Sequence, residues 1–216
     1  VHEIFGMPLV EWVYRSVKNA GVDEVVLVVG HKAEEVKEKM GDKALYAFQE
    51  KQMGTGHAVM QAQEYLNNKD GYVIVLCGDT PLISSETISN TINYHKENAN
   101  SATIFTAELD KPDGYGRIVR SSDGSVKKIV EHKDASSEER NIKEINSGMY
   151  CFSIKDLTEA LKELDNNNSQ GEYYLTDTIE ILISKGKKVG AIKVEDSSEI
   201  LGINDRAQLV EAGGII

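Results

Sequence analysis

The segment Leu76-Cys77-Gly78-Asp79-Thr80-Pro81-Leu82 holds the sharpest chemical signal in the chain. A strongly apolar run ends there in Gly-Asp-x-Pro. In open α/β sheets ligands bind beyond the carboxyl ends of the strands, which aims Asp79 at the place a ligand would occupy. A carboxylate at that point, beside a glycine that allows close approach, suits a magnesium ion carrying substrate phosphates. The competing reading makes Asp79 the cap of a helix starting near Ser85, or a turn former, and spacing alone favours neither.

The second signal is Gln49-Glu50-Lys51-Gln52-Met53-Gly54-Thr55-Gly56-His57. A Gly-x-Gly that opens a helix leaves backbone N–H groups free to meet anionic or carbonyl groups. Glutamine amides, with donors and acceptors side by side, can read the edge of a nucleobase. By themselves two glycines before a helix read more readily as a tight turn. Further on stand Gly114-Tyr115-Gly116-Arg117, Glu131-His132-Lys133 and Asn146-Ser147-Gly148. Sugar hydroxyls need acceptors and donors together, which Glu131 and Asn146 supply. Each taken alone reads as a turn or a solvated edge. The five histidines show no zinc spacing. Cys77 has no histidine beside it in the sequence, so it reads as a buried small hydrophobe and not as a nucleophile. Trp12 reads as a packing residue.

Elements of two kinds must position these groups. Leu9, Val13 and Val17 recur at helical spacing before Gly21, and Val25-Val26-Leu27-Val28-Val29 then forms an unbroken apolar run, as expected of a strand covered on both faces. Residues 44–48 read as a second strand, 56–65 as a helix and 72–76 as a third strand, a βαβ rhythm that implies parallel pairing. After residue 100 the rhythm changes. Strand-like runs at 102–109, 116–120, 126–131 and 145–152 are separated by glycine and aspartate turns, with Asp123-Gly124 a hairpin signal. Helices are expected at 155–164 and 174–185, a strand at 189–194 and a last helix from 205 to 212. No repeat or linker composition divides the chain. The expectation is one α/β domain over residues 1–216, three-layered and Rossmann-like, with a mixed, mostly parallel central sheet.

Composition narrows the possible functions. The 216 residues hold 24 Lys and Arg against 35 Asp and Glu, a formal charge of −11, with no basic cluster. Such a chain is a poor partner for nucleic acid or an anionic membrane. Its longest apolar runs are too short to span a bilayer. With no signal peptide and only two cysteines, both in apolar runs, it reads as cytoplasmic and free of a disulfide framework.

Taken in order, the motifs carry more than any one of them. Gln-x-x-Gln-x-Gly-Thr-Gly-His-Ala at 49–58, Gly-Asp-Thr-Pro-Leu-Ile at 78–83, Gly-Tyr-Gly-Arg-Ile at 114–118 and Ile-Val-Glu-His-Lys-Asp-Ala at 129–135 come first. Ile-Asn-Ser-Gly at 145–148, Gly-Glu-Tyr-Tyr-Leu-Thr-Asp at 171–177 and Gly-Ile-Asn-Asp-Arg at 202–206 follow. This series resembles the uridyltransferase domain of the bacterial bifunctional N-acetylglucosamine-1-phosphate uridyltransferase/glucosamine-1-phosphate acetyltransferase family along nearly the whole chain. The resemblance implies that UTP and N-acetylglucosamine 1-phosphate give UDP-N-acetylglucosamine, a cell-wall precursor, and pyrophosphate. It further implies that Asp79 and Asn204 hold Mg2+ and that Gln49, Gln52, Gly54 and Thr55 contact the uridine, with Cys77 and Gly78 lining that pocket. Gly116, Glu131 and Asn146 would contact the sugar, with Tyr174 and Thr176 near its acetamido group. Relatives often carry an aromatic residue where Cys77 stands. The family opens with a strand and a glycine-rich, phosphate-wrapping loop ahead of the segment matching Val1-His2, and it continues past residue 216 into a left-handed β-helix acetyltransferase. The chain therefore reads as an N-terminally truncated pyrophosphorylase domain without hexapeptide repeats, monomeric alone and trimeric in company with the acetyltransferase half. Two alternatives stay open: a pyrophosphorylase for another sugar 1-phosphate such as glucose, and a sugar-nucleotide-binding module without turnover.

Overall fold

The computed structural model describes residues 3–203, 208 and 212–214. A short antiparallel pair, β1 (Glu3–Ile4) and β2 (Met7–Pro8), leads into α1 (Leu9–Asn19). Leu9, Val13 and Val17 are buried along one stripe of α1, and Gly21, at φ +83°, turns the chain out of it. Then come β3 (Val26–Val29), α2 (Ala33–Met40), β4 (Leu45–Phe48), α3 (Thr55–Gln61), α4 (Gln63–Leu66), β5 (Tyr72–Val75) and α5 (Ser85–Glu97). The single helix expected at 56–65 is two short ones, broken at Ala62. Helix α2 buries only Ala33 and Met40, too sparse an apolar stripe to announce itself in the sequence.

The second half contributes β6 (Ala102–Glu108), β7 (Arg117–Arg120), β8 (Val126–Val130), α6 (Ser137–Arg140), β9 (Glu144–Ser153), α7 (Ile154–Leu161), α8 (Asp177–Ser184) and β10 (Val189–Lys193). The β7–β8 hairpin turns through Asp123-Gly124 as expected, with the Asp123 carboxylate accepting from the Ser125 N–H at 2.9 Å. Helix α8 starts three residues later than the pattern predicts. The expected last helix lies largely outside the described residues.

Six strands form the main sheet in the order β10-β6-β9-β7-β8, with β5 also on β9. Strand β9 runs antiparallel to β5, β6 and β7, β8 antiparallel to β7, and β10 parallel to β6. So β5, β6, β7 and β10 share one direction and β8 and β9 oppose them. The sheet is mixed, and most strands point one way. Because β9 runs down the middle, β10–β6 is, among the described residues, the one parallel neighbouring pair in it.

Strand β9 is also where the sheet forks. One edge pairs with β6 from Ala102↔Phe152 to Glu108↔Glu144. The other is shared, by β7 at Ile145 and by β5 from Tyr150 to Ser153. In the interval Ser147-Gly148-Met149 bulges out opposite Phe105, and Gly148 adopts φ +78°, which glycine reaches without strain.

Alternation along the strands splits the core into two. Ala102, Ile104, Tyr150 and Phe152 face Leu157, Leu161 and Ile179 on α7 and α8; Phe105, Ala107, Ile145 and Met149 face Val13, Val17 and Ile88 on α1 and α5. That is the three-layer arrangement expected. Burying each Val, Leu, Ile, Phe or Met among these contributes about 1.5–3 kcal/mol. Strands β3 and β4 form a separate parallel pair, and a cavity of about 1080 Å³ lies between β3 and β5, bordered also by Thr55, Cys77 and Gly78. Cys77 and Cys151 are free thiols, each pushed up to about 12 by burial. Among the described residues no helix is long and apolar enough to cross a membrane.

Candidate active site

Beyond Val75 the chain leaves β5 and descends through Leu76-Cys77-Gly78 to Asp79, beside the fork in β9. The Thr80 hydroxyl donates to the Cys77 carbonyl at 2.7 Å, closing the turn. The segment at 202–203 returns to the same place: the Ile203 N–H donates to the Asp79 carbonyl at 2.9 Å, and a Cβ on Gly202 would come within 3.0 Å of Asp79 Oδ2. Glycine at 202 thus leaves room for the carboxylate. Asp79 is reached by solvent at the crevice mouth, yet the protein closing around its carboxylate raises its pKa by desolvation. Among the described residues no lysine, arginine or histidine pairs with it. The capping alternative is answered by α5 itself, whose N-cap is Ser84, with Oγ accepting from the Thr87 N–H at 3.1 Å. Asn204 lies outside the described residues.

The Gly-Thr-Gly segment has a different task from a free row of backbone donors. Gly54 sits at φ +108°, and a Cβ there would lie 2.5 Å from the Tyr173 carbonyl oxygen; one on Gly56 would lie 2.7 Å from Leu164 Cδ1. The strap at 172–175 is laid directly over both glycines. It is bonded there by Tyr173 N–H to the Met53 carbonyl, Gly56 N–H to the Tyr173 carbonyl (both 2.8 Å) and Leu175 N–H to Thr55 Oγ1 at 3.0 Å. The Thr55 hydroxyl therefore keeps its proton and one lone pair to offer. Gln49, just past β4, is held by its N–H on the Val29 carbonyl at 2.7 Å, and its amide reaches Gly54 and His57. Gln52 is exposed near Gly30.

Across the fork stand the residues expected for a sugar. Glu131 follows β8 and accepts from the Thr176 hydroxyl at 3.2 Å; its burial raises its pKa. Asn146 is buried on β9. Its N–H donates to the Gly116 carbonyl at 2.9 Å, its Oδ1 accepts from Gly148 N–H at 3.2 Å, and its Nδ2 donates to the Tyr150 hydroxyl at 2.7 Å. Gly116 packs against Ile129 and Asn146, where a Cβ would come within 3.4 Å of Ile129. Tyr174 is buried, its hydroxyl accepting from Gln170 at 2.7 Å and facing Asp134 at 3.4 Å.

These contacts link the expected residues into two chains that meet at the fork. One runs from Gln49 through Gly54 and Thr55 to the strap and on through Thr176 to Glu131. The other runs from Asp79 through Cys77, whose thiol lies 3.9 Å from the Gly148 carbonyl, to Asn146 and Gly116. Sequence reasoning missed the residues that hold these in place. Tyr150 fixes the Asn146 amide from inside the core. The buried Arg117 guanidinium ties the loop before β7 by donating to the Tyr115 carbonyl and to the Arg140 carbonyl at 3.3 Å. An arginine with 0% exposure and, among the described residues, no carboxylate in an ion pair with it is a signal that only the fold reveals.

The arrangement provides one uncompensated carboxylate at a strand end, glutamines at a strand-to-helix turn, and a carboxylate–amide pair across a cleft. The family model described as nucleotidyl transferase matches residues 1–198. The chain is 87% identical over 216 residues to the bifunctional protein GlmU of Acetivibrio thermocellus, covering 100% of this chain and 47% of that protein. It is 52% identical over 212 residues to the protein of the same name from Halalkalibacterium halodurans, with 98% and 47% covered, and 53% identical over 216 residues to that of a Geobacillus species, with 100% and 47% covered. The chain spans about half the length of these curated relatives. With the strand-end aspartate and the strapped Gly-Thr-Gly turn set in this three-layer fold, the chain belongs to the nucleotidyl transferase family.

Proposed function

We propose that the chain is the part of a uridyltransferase that transfers UMP from UTP to N-acetylglucosamine 1-phosphate, releasing pyrophosphate and UDP-N-acetylglucosamine for peptidoglycan synthesis. The observation that carries this reading is the placing of Asp79 beside the fork in β9, between the glutamine-bearing turn and the Glu131–Asn146 pair. A nucleotide and a sugar phosphate laid across these two sides would meet above Asp79.

The residues fit a magnesium ion. The Asp79 carboxylate has no cationic partner among the described residues, and its partial desolvation at the crevice mouth disfavours its charge unless a cation offsets it. Among those residues no three His, Cys, Asp or Glu groups gather to hold a metal alone. That matches an ion bound by one or two protein groups and completed by phosphate oxygens. Asp79 would hold it, with Asn204 proposed as the second protein ligand; the ion supplies charge neutralisation to the triphosphate. The chain's own residues orient the reactants. Gln49 and Gln52 would meet the uracil edge, and the Thr55 hydroxyl would donate to the nucleoside. Gly54 and Gly78 would let the nucleotide approach the backbone, while Cys77 lines the floor beneath it. Glu131 would accept from a sugar hydroxyl. The remaining Asn146 Nδ2 proton would donate to the sugar, and Gly116, Tyr174 and Thr176 would shape the acetamido end. Holding a nucleophilic phosphate oxygen in line with the α-phosphorus is the main contribution such a scaffold makes to transfer.

Calorimetric titration with UDP-N-acetylglucosamine, with and without magnesium and with UDP-glucose as comparator, tests the reading. Selective, magnesium-strengthened binding of the acetylated sugar nucleotide is expected. Equal binding of both would point to another sugar 1-phosphate, and no binding of either would overturn the assignment.

A further inference from the structure

His57 lies on α3 with a glutamine at each end of its ring. Gln49 Nε2 is 3.0 Å from Nδ1, and Gln61 Nε2 is 3.2 Å from Nε2. A neutral imidazole has one donor and one acceptor nitrogen, so the two amides cannot both present N–H2 to it. Which of them does is decided by their other contacts.

Gln49 Nε2 also lies 3.2 Å from the Gly54 carbonyl oxygen, which can only accept. The end of the Gln49 amide facing inward is therefore the amino end, and this contact ties the strand β4 exit to the start of α3. Gln61, by contrast, touches only its own helix, at the His57 ring and at the His57 carbonyl 3.1 Å away. A half-turn of that amide gives Oε1 to the ring and gives up only the bond to the His57 carbonyl within the same helix, whereas a half-turn of Gln49 would undo the tie between two elements; amide groups readily undergo such reassignment.

We propose that His57 is a specificity-positioning residue: with its proton on Nε2, its bare Nδ1 accepts from Gln49 and leaves Gln49 Oε1 as the atom free to read a base. This rests on the proposal that Gln49 meets the nucleobase. An exposed carbonyl oxygen accepts from the imide N–H of a uracil and opposes the bare ring nitrogen that cytosine carries at the same position. The opposite tautomer would turn Gln49 over, present its amino group, and reverse the preference. Discrimination between the two pyrimidines is then set one residue behind the contact, by the site of one proton.

Two measurements on the 216-residue chain test this. Long-range 1H–15N correlation of histidine-labelled protein, with His57 assigned by its disappearance in His57→Asn, should show Nδ1 unprotonated and Nε2 protonated. A proton on Nδ1 would overturn the proposal whatever the chain binds. Titration with UTP and CTP gives the second readout. His57→Leu should cost about tenfold in UTP affinity, the equivalent of one hydrogen bond of ordinary strength, and should narrow the preference over CTP. His57→Asn, whose Oδ1 can accept where Nδ1 did, should restore that preference. Equal losses for both nucleotides in both variants would mean a packing role and would overturn it. A wild-type chain with the expected tautomer that bound neither nucleotide would instead defeat the functional reading of Gln49 and leave the amide orientation standing.

Discussion

Replacing Gly54 by alanine offers the cleanest quantitative test of the strap. The position carries two burdens, a backbone at φ +108° and a Cβ site 2.5 Å from the Tyr173 carbonyl oxygen and 2.9 Å from its nitrogen. The first, with ψ at 172°, costs about 1–3 kcal/mol for a residue with a side chain. The second forces the strap away and weakens three bonds, Met53–Tyr173, Tyr173–Gly56 and Leu175–Thr55. Each is worth about 1 kcal/mol net, so the whole loss is about 4–6 kcal/mol. Gly124→Ala is the control: φ is +84° there, but nothing lies within 4 Å of the new methyl group, so only the backbone cost of about 1–2 kcal/mol remains. Urea unfolding of both variants against wild type measures the difference. At about 2–4 °C per kcal/mol, the melting temperature of Gly54→Ala should fall by roughly 8–24 °C and that of Gly124→Ala by a few degrees. Equal losses would refute the reasoning, because they would show that the strap yields to the methyl group at no cost.

Further outcomes follow from the same geometry. Asp79→Asn should remove the magnesium dependence of nucleotide binding while keeping wild-type stability within about 1 kcal/mol, since it takes a charge out of a desolvated place; unchanged magnesium dependence by calorimetry would exclude Asp79 as the ligand. Tyr150→Phe frees the Asn146 amide and should weaken UDP-N-acetylglucosamine several-fold while sparing UTP, read by titrating both. His95 is fully buried and held down to about 4 by desolvation, so the native state refuses a proton that the unfolded chain takes up near its ordinary 6.5. Stability is then full above about pH 6.5 and falls toward pH 4 by about 3 kcal/mol, and His95→Phe should flatten that slope in urea titrations at several pH values.

How far the fold could be read in advance depended on where each element's information lies. Val26–Val29 and Tyr72–Val75 are strands whose own apolar, β-branched residues declare them, and α1 is declared by Leu9, Val13 and Val17 with Gly21 behind them. Helix α2 is entered through Lys32 at φ +60° and packs by two residues, so nothing local marks it. The fork in β9 was beyond reach because Ile145 to Phe152 reads alike whichever strands lie at its edge; only Val75↔Tyr150 and Arg117↔Ile145, partners far off in sequence, define the gap. The candidate site shows the same division. Asp79 was visible because a strand end fixes where a carboxylate points. The glycines of Gly-Thr-Gly were visible as a motif, but their close packing against Tyr173 depends on a segment more than a hundred residues away.

The separation of β3 and β4 from the main sheet has a consequence for motion. In the 216-residue chain these strands share backbone bonds with each other and, among the described residues, none with β5, so in this chain the pair can open as a unit while the six-stranded sheet stays closed. Amides of Leu45–Phe48 should therefore exchange with solvent deuterium through a sub-global opening well ahead of those in β6 and β9. Gln49 closes the end of that pair on the Val29 carbonyl. A ligand gripped by its side chain binds only the closed form, so it should slow exchange in β3 and β4 in proportion to the occupancy of the site. This separately paired piece of the fold would then be a gauge of nucleotide binding that needs no turnover to read.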